Sequence, residues 1–367
     1  MRPFQVLGPT LALAIALPIA AQAPPPPTPG RDALAILAGA RAALGGDQKL
    51  SEIKTFSARG RTRQIRGANL VPIEFEIWCE LPDKYVRRDE IPAQESGPTS
   101  NGFSGDTLIQ WPPPAEPAPG AKPAAPVTDA SAKRSEAKPA ADAAAKPAGQ
   151  AESGAKPEAA AKPAAEAAAK PAPPADPKLA RVASVKQDFV RLTLGMFATS
   201  FASYPLTFTV AGQAEAPQGR ADVIDVKGPG TFALRLFINS DAHLPIMVSW
   251  TTPATNVVIK LPGDPPPENP VPGTIIVMAP PLPPPAAPKE EQEQYAKTIK
   301  ELRQKTLATA KPVEQRLYYG DYRDIGNGLR FPFRLRRATA GETIEETNFD
   351  EFKINVRIDP RRFVVTK

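Results

Sequence analysis

From Pro112 to Lys178 the chain carries one large aliphatic residue, Val127, amid Ala, Pro, Lys, Glu, Gly and other small or polar residues. The unit Ala-Lys-Pro-Ala recurs within it, beginning at Ala121, Ala137, Ala145, Ala161 and Ala169. Ordering a residue costs about 1–2 kcal/mol of backbone entropy, and a segment with nothing to bury cannot offset that. The recurring proline also interrupts helix, although runs such as 164–170 favour transient turns of it. The segment therefore reads as a disordered, semi-rigid spacer with polyproline-II character. A second proline-rich break, Pro262 to Pro288, encloses one apolar strand-like piece, Thr274 to Met278. Any core must be assembled from what lies outside these breaks. The 47 prolines cluster in them, and the 7% of aromatic residues fall outside.

The N-terminus fixes the compartment. Arg2 precedes an apolar run, Leu7 to Ala20, broken by Pro9 and Pro18 and followed by Ala21-Gln22-Ala23. That pattern is a secretory signal peptide cleaved after Ala23, with a proline-rich linker at 24–30. Pro24 stands where a lipoprotein would carry cysteine, so no lipid anchor is expected, and the protein is expected in the periplasm or otherwise exported. No other stretch reaches the roughly 18 apolar residues of a spanning helix, so no transmembrane span is expected. One cysteine, Cys79, excludes an intramolecular disulfide. A net charge of +6 is mildly basic and singles out no partner.

Three stretches have helical spacing. Asp32 can cap a helix over 32–44 in which Leu34, Leu37 and Leu44 share a face, and Gly45-Gly46 ends it. Over 179–196, Val182, Val185, Phe189, Leu192 and Met196 recur at steps of three and four. A highly charged helix over 289–310 presents a narrow stripe of Tyr295, Ile299, Leu302 and Thr306.

Most of the remainder alternates with period two. Phe56 and Ala58 alternate with Arg59, Arg61 and Arg63, and Ile73, Phe75, Ile77 and Cys79 alternate with Glu74, Glu76 and Glu80. A hairpin turning at Arg66–Asn69 sets Arg61 opposite Glu74, Arg59 opposite Glu76, Phe56 opposite Cys79 and Ala58 opposite Ile77. Slipping by one residue would bury the arginines, so this register is expected. The alternation continues through Leu206, Phe208 and Val210, and through Phe232, Leu234, Leu236 and Ile238. It resumes in Leu244, Ile246, Val248 and Trp250, then in Leu329, Phe331, Phe333 and Leu335, and in a last strand of Phe352, Ile354, Val356 and Ile358. The fold expected is mainly β (α+β): a curled antiparallel sheet, or half-barrel, of roughly ten strands with helices on its concave face. Its pieces are 31–111, 179–261 and 311–367, with the insertion 112–178 and the excursion 262–310 between them.

Local wording adds a resemblance. Leu81-Pro82-Asp83-Lys84-Tyr85 follows the second strand, and Gly102-Phe103-Ser104-Gly105-Asp106 makes a glycine-flanked turn. His243-Leu244-Pro245 enters an alternating strand, and Tyr322-Arg323 through Phe331-Pro332, Lys353 to Val356, Ile358-Asp359 and Phe363 close the chain. In this order they resemble the periplasmic lipoprotein-carrier superfamily (LolA/LolB-like), over most of the chain outside the two breaks. The resemblance implies a half-barrel with a helical lid that carries an acyl chain in an apolar cavity. The insertion and the charged helix depart from it.

Catalytic patterns are lacking. His243 is the only histidine, so no His-x-x-x-His metal pair exists, and it reads as a turn residue. Ser104 lacks the spacing of a nucleophile elbow, and Cys79 falls on the apolar face of its strand. Asp106, Asp321 and Asp324 sit at turns, where backbone capping is the plain role. Arg330, Arg334, Arg336 and Arg337 can pair with Glu342, Glu345 and Glu346, and no exposed aromatics interleave as nucleic-acid binding would need. The expectation is a non-enzymatic envelope protein with no cofactor or metal, binding a lipid, acyl chain or lipoprotein. Candidate lining residues are Phe75, Ile77, Phe208, Val210, Phe232, Leu234, Ile246, Val248 and Trp250. The competing reading of those residues is plain core. The competing function is a structural or interaction scaffold that contacts other envelope components through the Ala/Pro/Lys segment.

Overall fold

The computed structural model describes residues 32–66, 69–92, 94–95, 97–113, 176–216, 219–265, 267, 270–284 and 287–364. The expected signal peptide and linker, and all but the ends of the 112–178 spacer, lie outside the described residues. In chain order the elements are α1 (Ala33–Ala43), α2 (Asp47–Ser51), β1 (Thr55–Arg66), β2 (Asn69–Glu80), β3 (Lys84–Glu90), β4 (Thr99–Ser104) and β5 (Thr107–Trp111). They continue with α3 (Pro177–Phe197), β6 (Thr207–Ala216), β7 (Gly219–Lys227), β8 (Ala233–Asn239), β9 (Pro245–Thr252), β10 (Val257–Lys260) and β11 (Ile275–Met278). The last are α4 (Lys289–Thr309), β12 (Val313–Asp324), β13 (Arg330–Thr339) and β14 (Glu342–Ile354).

Twelve strands, two more than expected, form one curled, unclosed antiparallel sheet in the order β5-β4-β3-β2-β1-β14-β13-β12-β9-β8-β7-β6. Two neighbouring pairs are not consecutive in the chain. β1–β14 brings the C-terminal strands beside the first hairpin, and β9–β12 closes over the proline-rich excursion. The first hairpin has the register that parity requires: Arg61 opposite Glu74, Arg59 opposite Glu76, Phe56 opposite Cys79 and Ala58 opposite Ile77. Arg59 forms its ion pair with Glu351 on the other neighbour, β14, at 3.0 Å.

The segment after β5, at one edge, must return to β6 at the other. α3 makes part of that crossing: its 21 residues span about 30 Å, and it packs on β4, β5, β9 and β13. Asp176 caps it and Ala198, in the left-handed region, ends it. Val182, Val185, Phe189, Leu192 and Met196 are buried as their spacing requires, and from Phe189 to Ala198 the helix is buried all round. α1 is capped by Asp32, which accepts from the Leu34 N–H, but Leu34 itself is 64% exposed. The buried stripe is Ala33, Ile36, Leu37, Ala40 and Leu44. At about 100° per residue Leu34 stands a quarter-turn off it.

The core is an aromatic network between sheet and helices. Phe197 meets Phe56, Phe201 and Phe331 at ring distances of 6.3, 5.5 and 5.3 Å. Phe189 meets Tyr85 and Phe103 at 5.2 and 5.4 Å. The Phe197–Phe201, Phe197–Phe331 and Phe189–Phe103 pairs are edge-on, and such pairs contribute about 0.5–1.5 kcal/mol each beyond area burial.

Phe352 to Ile358 is not one strand. β14 stops at Ile354 because Asn355 takes a φ of 53°. Its Oδ1 accepts from the Lys54 N–H at 2.8 Å and its amide donates to the Glu52 carbonyl at 3.2 Å. The chain then crosses to the outer face, where Ile358 and Phe363 pack with Val86 and Ile109 in a second small core. The excursion holds the strand and the charged helix that its sequence suggests. The piece at 275–278 pairs in parallel with β10, and α4, whose half-buried residues form one stripe, packs against β10. The Tyr295 hydroxyl donates to the Pro280 carbonyl at 3.1 Å.

Candidate functional site

The sequence-derived lining residues fall into two groups. Phe75 and Ile77 lie on β2, while Phe232, Leu234, Val248 and Trp250 lie on or beside β8 and β9, and all six are buried. Four strands separate β2 from β9 in the sheet. Phe208 and Val210 are half-buried on the edge strand β6. Ile246 is half-buried where β9 bulges against β8, between the pairs Phe237–Met247 and Ile238–Pro245. α3 is therefore a plug as much as a lid, and Phe75, Ile77, Phe232, Leu234, Val248 and Trp250 belong to the same continuous core as the helix.

Two tyrosines seat the plug. The Tyr319 ring covers Gly195, and its hydroxyl donates to the Arg191 carbonyl. The Tyr322 hydroxyl lies 2.8 Å from both the Gly195 and the Pro245 carbonyls. Burial pushes both phenols well above their ordinary pKa.

A cleft of about 280 Å³ opens where α2, the Leu81–Pro82 turn and the end of α3 meet. Leu50, Ile53, Leu81, Phe197 and Phe201 supply apolar walls, and Arg41, Asp47, Ser51, Lys54 and Thr199 supply a polar margin. Its shape depends on the chain reversal after α1. Gly45 has φ of 126°, and a Cβ there would stand 2.8 Å from the Gly328 carbonyl oxygen. Arg41 pairs with Asp47, and its Nη1 donates to the Ala198 carbonyl at 3.4 Å, tying α1 to the end of α3. Phe197 and Phe201 are absent from the sequence-derived lining set. Phe201 lies past the end of α3, where helical spacing carries no signal.

Charged groups also reach the concave side. Arg87 lies opposite Ile77. Its Nε donates to Asp89 at 2.7 Å, its Nη2 donates to Thr62 at 3.1 Å, and its guanidinium covers Phe75 at 4.5 Å. Parity with buried Tyr85 would have placed Arg87 and Asp89 inside. On α3, Arg191 is 9% exposed. It stacks on Trp250 at 4.4 Å, faces Phe232 at 5.3 Å, and donates to Asp188 at 2.8 Å. Arg337 approaches the same Asp188 oxygen at 3.9 Å. On the outer face, Arg334 pairs with Glu346 at 3.2 Å.

The residues weighed for catalysis are dispersed. His243 is exposed at a turn with φ of 55°. Cys79 is fully buried, and burial raises its thiol well above its usual pKa. Asp324 caps its turn by accepting from the Gly326 N–H at 2.7 Å. Asp106 and Asp321 instead form ion pairs, Asp106 with Lys186 at 2.7 Å and Asp321 with Arg323. No three His, Cys, Asp or Glu residues are grouped for a metal among the described residues. No helix among them is long and apolar enough to cross a membrane.

No protein-family model matches the chain, and no curated protein matches it. Among solved structures, a LolA superfamily protein from Nitrosomonas europaea is similar over 90% of this chain and 97% of its own, at 10% identity and a TM-score of 0.41. A putative outer membrane lipoprotein-sorting protein domain from Vibrio parahaemolyticus is similar over 90% and 97%, at 6% identity and a TM-score of 0.38. A DUF1329 family protein from Desulfovibrio piger has the same shares, identity and score. Solved structures from the superfamily that the sequence resembles are thus among those similar to this chain over most of its length.

Proposed function

We propose that this is a non-enzymatic carrier of the cell envelope that holds an acyl chain, from a lipid or a lipoprotein, between sheet and helices. The chain would enter by the cleft beside α2. The observation that carries this reading is the continuity of the cleft with the core. Phe197 and Phe201 form its inner wall, and Phe201 continues to Phe189 at a ring distance of 6.0 Å. An apolar chain entering there leaves water at about 0.8 kcal/mol per methylene. The export signal and the resemblance read from the sequence point the same way. A binding role also fits the placement of the reactive side chains, with the one thiol sealed in the core and the one histidine at a turn.

The test is binding of single-chain amphiphiles of increasing length to the full chain, followed by displacement of a fluorescent fatty acid. Affinity should rise about three- to fourfold per added methylene until the cleft is filled. Mass spectrometry of protein purified from its native envelope should show a bound acyl chain. Affinity that does not depend on chain length, with no co-purified lipid, would rule the carrier out.

A further inference from the structure

Outside the cleft, the buried Arg191 meets the half-buried Arg337 and the exposed Asp188. Two guanidiniums converge there on one carboxylate oxygen, Oδ1 of Asp188, at 2.8 and 3.9 Å. The Nε of Arg191 and the Nε of Arg337 are both buried without a hydrogen-bond partner among the described residues. An Nε and its neighbouring Nη form the planar fork that grips carboxylate or phosphate oxygens in pairs. On Arg191 that edge has only Gln187 at 3.5 Å. The guanidinium is held in place on Trp250, so the fork is pre-positioned. The side chains of Arg191, Arg337 and Asp188 are 10%, 32% and 47% exposed, which leaves the trio open to solvent on the Asp188 side.

Charge balance makes the same point. A buried cation without its own counter-ion is strongly disfavoured, and two cations here share a single anion. Burial first, and Arg337 as a like charge, lower the Arg191 pKa against the pull of Asp188. Glu345, opposite Arg337 in the β13–β14 register, forms no ion pair with it within 4 Å.

We propose that Arg191 and Arg337 form a receptor for an anionic group, a carboxylate or a phosphate, for which Asp188 is the stand-in while the site is empty. An incoming anion with two oxygens engages both Nε–H groups, and Asp188, on the solvent side, turns outward. The anion is either free in solution or the polar end of the acyl ligand. The second source rests on the carrier reading above; the first does not.

The experiment titrates the full chain with inorganic phosphate, with laurate, and with dodecyl maltoside, a neutral amphiphile of the same chain length. The proteins are the native chain, Arg337→Gln and Asp188→Asn. Trp250 fluorescence is read in a Trp78→Phe/Trp111→Phe background. Circular dichroism and the melting temperature check that Arg337→Gln keeps the fold; Asp188→Asn supplies an independent variant that acts in the opposite direction. The expected result is that laurate binds at least tenfold more tightly than dodecyl maltoside. Arg337→Gln should abolish that preference without changing the affinity for maltoside, and Asp188→Asn should enhance it. Phosphate that competes with laurate in the native chain, and not in Arg337→Gln, identifies a site for free anions as well. Phosphate without effect alongside a laurate preference restricts the site to head groups. If laurate and maltoside bind equally well to all three proteins, the anion site is refuted and the carrier reading stands. If neither amphiphile binds but phosphate stabilises the native chain and not Arg337→Gln, the carrier reading fails and the anion site stands. If phosphate and laurate leave even Asp188→Asn unchanged, there is no receptor.

Discussion

Replacing Gly195 by alanine tests whether α3 is locked onto the sheet as its contacts require. In an exposed helix the change would stabilise by about 1 kcal/mol, since glycine is the poorer helix former. Here the added Cβ would stand 2.4, 2.5 and 2.8 Å from three ring atoms of Tyr319. Those distances are far inside van der Waals contact, and the ring has little room to give. Tyr319 is 5% exposed, and its hydroxyl is anchored on the backbone of the same helix. Overpacking of this kind costs about 1–3 kcal/mol, and a pinned ring places it near the top of that range. Less the propensity gain, the net loss is about 2 kcal/mol, or a fall in melting temperature of about 4–8 °C for a domain of this size. Urea denaturation followed by far-UV circular dichroism measures it. A double-mutant cycle isolates the cause. With Tyr319→Val the clash partner is gone, and Gly195→Ala should become neutral or stabilising. With Tyr319→Phe the ring remains, and the penalty should persist. A Gly195→Ala protein as stable as the native one, with Tyr319 intact, would show that α3 is not seated on β12 as described.

Asn355→Ala should cost about 2 kcal/mol, from strain at a φ of 53° and loss of the side-chain bonds to Lys54 and Glu52; Asn355→Gly should recover the strain alone, about half. Tyr85, Tyr319 and Tyr322 all have raised pKa values from burial. The folded state therefore keeps protons that the unfolded chain sheds above about pH 10, so their contribution is whole below that pH and falls as pH rises, by up to about 1.4 kcal/mol per unit for each phenol. Ultraviolet titration should show these three unionised at pH 11 until the protein unfolds. Deleting 114–175 and joining the ends with a short flexible linker should leave the melting temperature and acyl binding unchanged; loss of binding with the fold intact would favour the scaffold reading instead.

The parts of the fold legible in sequence were those set by parity and helical spacing. The β1–β2 register followed from keeping Arg59, Arg61 and Arg63 out of the apolar face, a constraint worth several kcal/mol per charge. The pairing of β1 with β14 was not legible, because it joins Phe56 to Ile354 across almost the whole chain, and no local pattern specifies so distant a partner. A bulge in that pairing, between Arg59 and Gly60, breaks the parity that a sequence argument would extend. Gly60 makes the close approach possible, since a Cβ there would fall 2.2 Å from the Asn348 carbonyl oxygen. The site was hidden for a different reason. Treating charge as an outward signal hid Arg87 and Arg191, whose guanidiniums lie on aromatic faces inside. Reading one stripe on α3 hid its second half, which is buried on every side.

That unevenness along α3 bears on how a filled sheet could serve as a carrier. From Phe189 to Ala198 the helix is enclosed by the sheet and held by Tyr319 and Tyr322. Before Phe189 the buried apolar side chains are Val182 and Val185, with Lys186 reaching the exposed Asp106. Uncovering two valines costs about 3–6 kcal/mol, which four to eight methylenes offset at about 0.8 kcal/mol each. The enclosed half presents several aromatic and aliphatic side chains at once, and a single acyl chain cannot offset their exposure. On the carrier reading, then, the C-terminal half of α3 is the fixed wall of the cleft, and the N-terminal half is the part that yields. The ring contacts Phe201–Phe189–Phe103 lead from the cleft to β4, the strand that α3 overlies. A ligand longer than the cleft should therefore increase amide exchange across 177–186 while leaving 189–198 protected. Uniform exchange along the whole helix, or protection of 177–186 on binding, would contradict that division.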